Sequence, residues 1–218
     1  NALRLKAVAD AEAGAVRAQH LDAPAARELL EGPADHHPLI ALDDEQARIM
    51  IRKGRFLPAP GFEDHPVTES TWRGARDYCT WRGARLPSEA EWEAAARGTL
   101  GRRCAWGNEP PSPERAYFGF PSGQTAPVGA RPKGATPEGV LDLAGSMAEW
   151  TSSLYRSYPY DPRDGREDLL AAGERVTRGG DYVFDVAPEK LMATFRGGFS
   201  RRGDRGHRHI GFRCAMSR

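Results

Sequence analysis

Apolar residues recur at helical spacing at the start of the chain. Alanine is dense between residues 2 and 31, and Leu5 and Val8 lie on one face of a helix. Asp22 followed by Pro24 is typical of a new helix start, with an N-cap and a proline in the first turn. The pattern therefore predicts two helices in this stretch rather than one.

We assign these helices to an N-terminal arm at residues 1–37, followed by one domain at residues 38–218. Residues 47–57 alternate between apolar and polar side chains and include a Lys53-Gly54 pair. Alternation broken by a glycine turn is typical of a strand or a β-hairpin.

A helix is predicted from an N-cap at Ser70 to about Arg82, with Trp72, Ala75 and Cys79 facing inward. It is the first of the two main helices expected in the domain.

The second main helix is predicted in "RLPSEAEWEAAARG", residues 85–98. Ser88 and Glu91 have the spacing of a capping box, and Gly98 ends the pattern. The helix dipole favours carboxylates in the first turns, and no histidine or cysteine lies beside them at ligand spacing. We therefore interpret these acids as part of the scaffold rather than as a catalytic or metal cluster. The residues predicted to face the core are Trp92, Ala95 and Ala96.

Composition gives a loop-rich chain without a dominant charge. Its 218 residues include 31 Lys and Arg, 30 Asp and Glu, 24 Gly and 17 Pro. Balanced charge gives no electrostatic reason to expect nucleic-acid binding, and no apolar run approaches the roughly 18 residues of a membrane span. The few helices and many short segments predict an α+β fold.

Five motifs then occur in one order: "HPVTESTWRGARDYCTWRGARLPSEAEWEAAARG", "AWGNE", "APVGARPKGATPEGVLDLAGSMAEWTSS", "RVTRGGDY" and "GFRCA". In this order they resemble the formylglycine-generating enzyme (sulfatase-modifying factor) family over about residues 47–217. The resemblance implies a C-type-lectin-like fold, with two main helices, short antiparallel strands and long loops. The family includes copper-dependent oxidases, substrate-binding parts of iron-dependent sulfoxide synthases, and binding proteins without catalysis.

The resemblance also places the copper ligands of the oxidases. In those enzymes two cysteines follow an "RGGS" turn, and their thiolates hold Cu(I), a metal that prefers sulfur. Here the turn ends in Asp181 instead of serine, and residues 181–213 contain no cysteine. We therefore expect no copper and no formylglycine synthesis by this chain.

An iron-dependent sulfoxide synthase remains an alternative only if an upstream segment or a partner chain supplies the metal site. His36 and His37 are adjacent, and on a helix they point about 100° apart. His207 and His209, with Asp204, have spacing that allows a metal cluster, but four arginines surround them. Arginine prefers carboxylates and phosphates, so we interpret this segment as a basic loop that binds acidic groups.

A structural Ca²⁺ ion is implied by the resemblance in the loop before "AEW". The family ligands correspond to the side chains of Asp142 and Glu149 and the carbonyls of Gly145 and Met147. Hard oxygen ligands on a glycine-bent loop suit calcium.

The resemblance pairs Cys79 with Cys214 in a disulfide, and Cys104 is left as a free thiol. Two buried thiols are the alternative for the first pair. We favour a cytoplasmic location but leave export open, because the chain begins with Asn1 rather than Met and its true start is missing.

The prediction is therefore a non-catalytic domain that binds a protein or a small acidic ligand through the 181–209 loop. The alternatives are the substrate-binding part of an iron-dependent sulfoxide synthase, or an architectural subunit that docks on a partner through the 1–31 helices. The predicted ligand-binding residues are Asp181, Tyr182, Phe184, Asp185, Arg196, Phe199, Arg201 and Arg205.

Overall fold

The fold is given by a computed structural model, which describes residues 39–216 apart from 43, 53–54, 121–122 and 200–204. The predicted N-terminal arm and its two helices lie outside the described residues. The Lys53-Gly54 turn also lies outside them.

The predicted hairpin is confirmed. Strand β1 (Ile49–Arg52) pairs antiparallel with β2 (Arg55–Pro58). This two-stranded sheet is separate from the main sheet.

Helix α1 (Trp72–Trp81) begins one residue later than predicted. Thr71 is the N-cap, because its hydroxyl oxygen accepts a hydrogen bond from the Gly74 amide at 2.8 Å. Ser70 instead donates to the Ile210 carbonyl at 3.4 Å, which ties the start of the helix to the sheet. The three residues predicted to face inward are all buried: Trp72, Ala75 and Cys79.

Helix α2 (Glu89–Arg97) has the predicted capping box. Ser88 accepts from the Glu91 amide at 3.2 Å, and the Glu91 carboxylate accepts from the Ser88 amide at 2.8 Å. Gly98 is the C-cap, as predicted. The prediction for Ala95 was wrong, since its side chain is exposed. The buried stripe contains Glu89, Trp92 and Ala96, and at 100° per residue Ala95 lies beyond its edge.

The main sheet has four strands in the order β5-β4-β3-β6. Two of its pairings are antiparallel, but β3 and β6 pair in parallel, which the expectation of antiparallel strands did not include. The strands are β3 (Ala148–Leu154), β4 (Arg175–Arg178), β5 (Gly197–Phe199) and β6 (Ile210–Phe212). Short 3-10 segments occupy Glu45–Ala47, Pro132–Gly134 and Pro188–Leu191.

Both helices pack against this sheet, and each helix has its own cluster of buried core residues. One cluster joins Trp72 and Cys79 of α1 to Trp150 and Ile210 of the sheet. A second joins Trp92 and Ala96 of α2 to loop residues that follow it in the chain, among them Ala105, Leu143 and Ala193. Two main helices and short strands make the α+β class that the sequence predicted. No helix among the described residues is long and apolar enough to cross a membrane.

A disulfide between Cys79 and Cys214 joins α1 to the segment after β6, and its cysteines are 135 residues apart. This is the pair that the resemblance implied. Cys104 is buried and free, and burial raises the pKa of its thiol.

Candidate functional site

The candidate site begins at the turn that follows β4. Gly179 and Gly180 have φ angles of 96° and 70°, in the region that favours glycine. A Cβ atom at Gly180 would lie 2.7 Å from the Lys190 carbonyl oxygen. This close approach explains the glycine pair, and it directs the chain into the segment that starts at Asp181.

Asp181 orders that segment through its side chain. One carboxylate oxygen accepts hydrogen bonds from the amides of Val183 at 2.7 Å and Phe184 at 2.6 Å. The Asp185 carboxylate accepts from the Asp181 amide at 3.0 Å. Burial raises the pKa of both carboxyls, and for Asp185 the charge of Asp181 adds to the effect. The two acids therefore order the turn, and ligand binding by either stays a prediction.

The turn presents two apolar side chains to solvent. Phe184 and Val186 are each 59% exposed. The Phe184 ring contacts the edge of His209, with 4.8 Å between ring centroids and 84° between planes. The Arg208 guanidinium lies 5.7 Å from the Phe184 centroid. We call these four residues the Phe184 surface.

The two histidines beside this surface are neutral near pH 7. Burial, together with the charge of Arg208, lowers the pKa of His209 to about 4. Burial, the neighbouring His209 and Arg205 likewise lower the pKa of His207 to about 4. Arg208 and the exposed Arg205 therefore supply the positive charge here. Asp204, the third member of the considered metal cluster, lies outside the described residues, and those described contain no group of three metal-ligating side chains.

The predicted ligand-binding residues divide between burial and exposure. Tyr182 is buried behind the Phe184 surface, and its hydroxyl donates to the Arg208 carbonyl at 3.5 Å. Phe199 lies in β5, and Arg201 lies outside the described residues. The prediction did not include Val186 or Arg208.

Arg196 belongs to a different part of the molecule than the prediction assumed. Its guanidinium forms a two-bond ion pair with Glu89, a side chain with no exposure, and one of these bonds measures 2.8 Å. Tyr155 and Tyr158 flank it, with centroids 4.7 and 4.2 Å from the guanidinium carbon. Arg196 is therefore held under the 155–158 segment and away from the Phe184 surface.

Two further carboxylates, one on α2 and one on β3, also form ion pairs inside the domain. Glu93 pairs with Arg178, which is fully buried. Glu149 accepts two hydrogen bonds from Arg213 at 2.6 Å and one from the Trp92 indole at 2.7 Å. Local sequence could not predict these partners, because each pair joins residues more than 50 positions apart.

Glu149 bears directly on the calcium expectation. Its carboxylate is neutralised by Arg213, and Asp142 accepts from the Gly129 amide at 2.7 Å. Gly145 and Met147 are both buried. The four groups therefore fit calcium poorly in this arrangement, because a cation at Glu149 would have to displace Arg213. Calcium at this loop stays a prediction, which equilibrium dialysis with and without chelator tests.

Comparison with known proteins identifies the domain. Residues 40–218 match the sulfatase-modifying factor enzyme 1-like domain. The chain is 37% identical over 188 residues to the serine/threonine-protein kinase Pkn1 of Chlamydia trachomatis, covering 83% of the chain and 28% of that protein. It is 38% identical over 157 residues to the hercynine oxygenase of Mycolicibacterium smegmatis, covering 66% of the chain and 36% of that protein.

A third relative is the inactive C-alpha-formylglycine-generating enzyme 2 of Bos taurus, which is 36% identical over 165 residues, 70% of the chain and 50% of that protein. The chain thus spans half or less of the length of these relatives.

Two solved structures share the fold. PvdO from Pseudomonas aeruginosa aligns with a TM-score of 0.55 and 26% identity, over 74% of this chain and 67% of that one. Treponema denticola variable protein 1 aligns with a TM-score of 0.54 and 21% identity, over 72% of this chain and 73% of that one, and shows the fold alone. From the match at residues 40–218, the chain belongs to the sulfatase-modifying factor enzyme 1-like family.

Proposed function

We propose that this domain is a non-catalytic member of its family that binds a protein or a small acidic ligand through the Phe184 surface. The observation that carries the proposal is the chemistry of the segment from Asp181 to Arg213. It contains no cysteine, and at its tip it exposes Phe184 and Val186 instead. Without paired thiolates, the segment has no ligands suited to Cu(I).

The geometry of the surface supports binding. The backbone at Phe184 is fixed by the hydrogen bonds that its own amide and the Val183 amide donate to Asp181, and its ring packs edge-on against His209. An ordered aromatic side chain loses little conformational entropy when a partner covers it. Aromatic residues and arginine are also the commonest anchors of protein interfaces. Arg208 beside Phe184 therefore favours a partner that places a carboxylate or phosphate next to an apolar group.

The relatives support a binding role at the level of the domain. A protein named as a kinase, one named as an oxygenase and one named as inactive each contain a region similar to this chain. Because proteins with such different names share this domain, we expect the domain to contribute binding rather than one particular catalytic reaction.

The catalytic half of the proposal has a direct test. The purified chain is loaded with copper and incubated in air with a cysteine-containing peptide. We expect no stoichiometric copper retention and no oxidation of the peptide. Copper retained at one ion per chain together with aldehyde formation would refute the non-catalytic assignment.

The binding half is tested with an array of short peptides that combine acidic and aromatic residues. We expect binders in the wild type that are lost in Phe184→Ala and weakened in Arg208→Gln. Leu100→Ala is the matched control, because Leu100 is an exposed apolar residue, at 87%, outside this surface. Binding that survives Phe184→Ala would place the site elsewhere.

A second candidate is the substrate-binding part of an iron-dependent sulfoxide synthase. The similarity to hercynine oxygenase favours it, because the chain aligns with only 36% of that protein and leaves room for a metal-binding part. In this case iron binds only when a histidine-bearing domain or partner is added. Iron titration of the chain with and without such a partner, followed by electron paramagnetic resonance with nitric oxide, distinguishes the two candidates.

A further inference from the structure

A polar hollow lies far along the chain from the Phe184 surface, between α1, the start of α2 and the segment at residues 160–169. Its volume is about 360 Å³. Leu86, Tyr160 and Leu169 form apolar parts of its wall, next to the Glu167 carboxylate. The charged side chains of Arg76, Arg85 and Glu91 also line it. None of these residues has a part in the proposed function.

The Glu167 carboxylate is oriented by neutral groups. The hydroxyls of Ser152 and Tyr160 donate to it, each at 2.8 Å, and the Ser153 hydroxyl donates to it as well. Burial and the Glu167 hydrogen bond raise the pKa of Tyr160 to about 12, so this phenol stays a donor. Three hydroxyls fix the direction of the carboxylate but leave its negative charge in place.

The cations near Glu167 are engaged with other groups. Arg85 pairs with Glu91 at 2.6 Å and Arg76 pairs with Asp77 at 2.7 Å. Arg175 donates to the carbonyl of Ser152 at 2.7 Å and to two further backbone carbonyls.

Within the described part of the chain, Glu167 therefore has no ion-pair partner within 4 Å. Arg85 and Arg175 interact with it electrostatically, but only at longer range. An oriented carboxylate next to the apolar side chains of Leu86 and Leu169 matches an alkyl chain that ends in a cation. The stem would pack on the apolar side chains, and the head would form charge-assisted hydrogen bonds.

We infer that this hollow binds the side chain of a lysine or arginine presented by a partner polypeptide, with Glu167 as the counter-ion. A polypeptide is the favoured source because Tyr160 also borders a second hollow, of about 530 Å³. Ala90, Ala94 and Pro159 line that hollow along the outer face of α2. The partner's residues on either side of its lysine or arginine would fit in this second hollow. A free amine would occupy only the first hollow.

The probe is the peptide acetyl-Ala-Arg-Ala-amide, followed by NMR chemical shifts of the backbone amides at increasing peptide concentration. We expect shifts that cluster at Ser152, Ser153, Tyr160 and Glu167 and that weaken as salt is added. The same peptide with norleucine in place of arginine tests the charge, and ethylguanidinium tests the polypeptide source. Both are expected to bind at least about tenfold more weakly.

Two variants locate the site. Glu167→Gln should weaken peptide binding at least about tenfold, since it removes the counter-ion. Glu109→Gln is the matched control and should leave affinity unchanged, because Glu109 is exposed and outside both hollows.

Since Glu167 also accepts three internal hydrogen bonds, a second variant guards against misfolding. Leu169→Arg adds an internal cation at a 43% exposed position, and it should block the peptide without lowering the melting temperature.

The inference is overturned if the wild type shows no localised shifts, if the norleucine peptide binds as well as the arginine peptide, or if folded Glu167→Gln binds like the wild type. Equal affinity for ethylguanidinium and the peptide would overturn the assignment to a polypeptide. None of these results depends on the Phe184 surface, so the two proposals stand or fall separately.

Discussion

The interior around α2 and the Phe184 surface use charged residues in opposite ways. Around α2, carboxylates pair with arginines, and one member of each pair is fully buried: Glu89 in its pair with Arg196, and Arg178 in its pair with Glu93. On the Phe184 surface, the acids Asp181 and Asp185 bond to backbone amides, and the exposed tip is apolar. The first arrangement pairs these charges inside the chain, whereas the second leaves contact area for something outside the chain.

This difference separates structural from recognition roles within one domain. A buried ion pair stabilises little relative to an apolar replacement, but it is strongly destabilising when one partner is removed. Substituting an exposed aromatic residue has the opposite effect: the free energy of unfolding changes little, but contact area for a partner is lost. Substitutions in the two regions should therefore affect stability and binding in opposite proportions.

The largest expected effect concerns the disulfide that joins α1 to the segment after β6. Replacing both Cys79 and Cys214 with serine should lower the free energy of unfolding by about 4–5 kcal/mol in the chain-entropy model, since the loop closed is 135 residues. Urea denaturation of the oxidised protein and the double variant measures it. Cys104→Ala is the control for losing a buried sulfur without a cross-link, and a loss no larger than that of this control would contradict the prediction.

Glu89→Gln tests the interior around α2. It leaves the mostly buried Arg196 without its counter-charge, so the free energy of unfolding should fall by about 3 kcal/mol or more. Glu114→Gln is the matched control, because it breaks an exposed pair with Lys133, and exposed pairs contribute little to stability. Similar losses in both variants, measured by urea denaturation, would show that burial of the pair does not matter.

Acid should destabilise the segment that supports the Phe184 surface. The pKa of His209 is about 4 in the folded chain and 6.5 in the unfolded chain. The unfolded state therefore binds more protons as pH falls below 6.5, and stability is lost through that window down to about pH 4. His209 alone should account for about 2 kcal/mol between pH 6.5 and pH 5.

The decisive comparison for His209 is the wild type against His209→Gln in urea denaturation at several pH values. The variant should show a shallower loss of stability on acidification. Parallel pH profiles would contradict the assigned pKa.

The smallest expected effect on stability is that of Phe184→Ala. Because Phe184 is 59% exposed, the free energy of unfolding should change by about 0.5 kcal/mol or less, although peptide binding at this surface should be lost. Thermal denaturation and the peptide array are compared on the same sample. A large loss of stability would show that Phe184 supports the fold rather than binding a partner.

Elements that depend on near neighbours in the chain could be predicted from the sequence. The capping box of Ser88 and Glu91, the stop at Gly98 and the β1–β2 hairpin all rest on groups a few residues apart. The order of the five motifs likewise led to the family and to the α+β fold. The start of α1 was predicted one residue early, because Ser70 and Thr71 are both suitable caps and only packing against β6 selects between them.

The sequence by itself determined the two helices, the hairpin, the absence of cysteine from residues 181–213 and the family. Only the tertiary structure decided which charged residues are structural. Glu89 has the position of a first-turn acid, but its burial and its pairing with Arg196, 107 positions away, depend on how β4 and β5 bring the chain back to α2. Arg196 was predicted to bind a ligand because its pairing with the distant Glu89 cannot be seen in the local sequence. A charged side chain's role depends on its partner and its exposure, and for long-range pairs neither is encoded in local sequence.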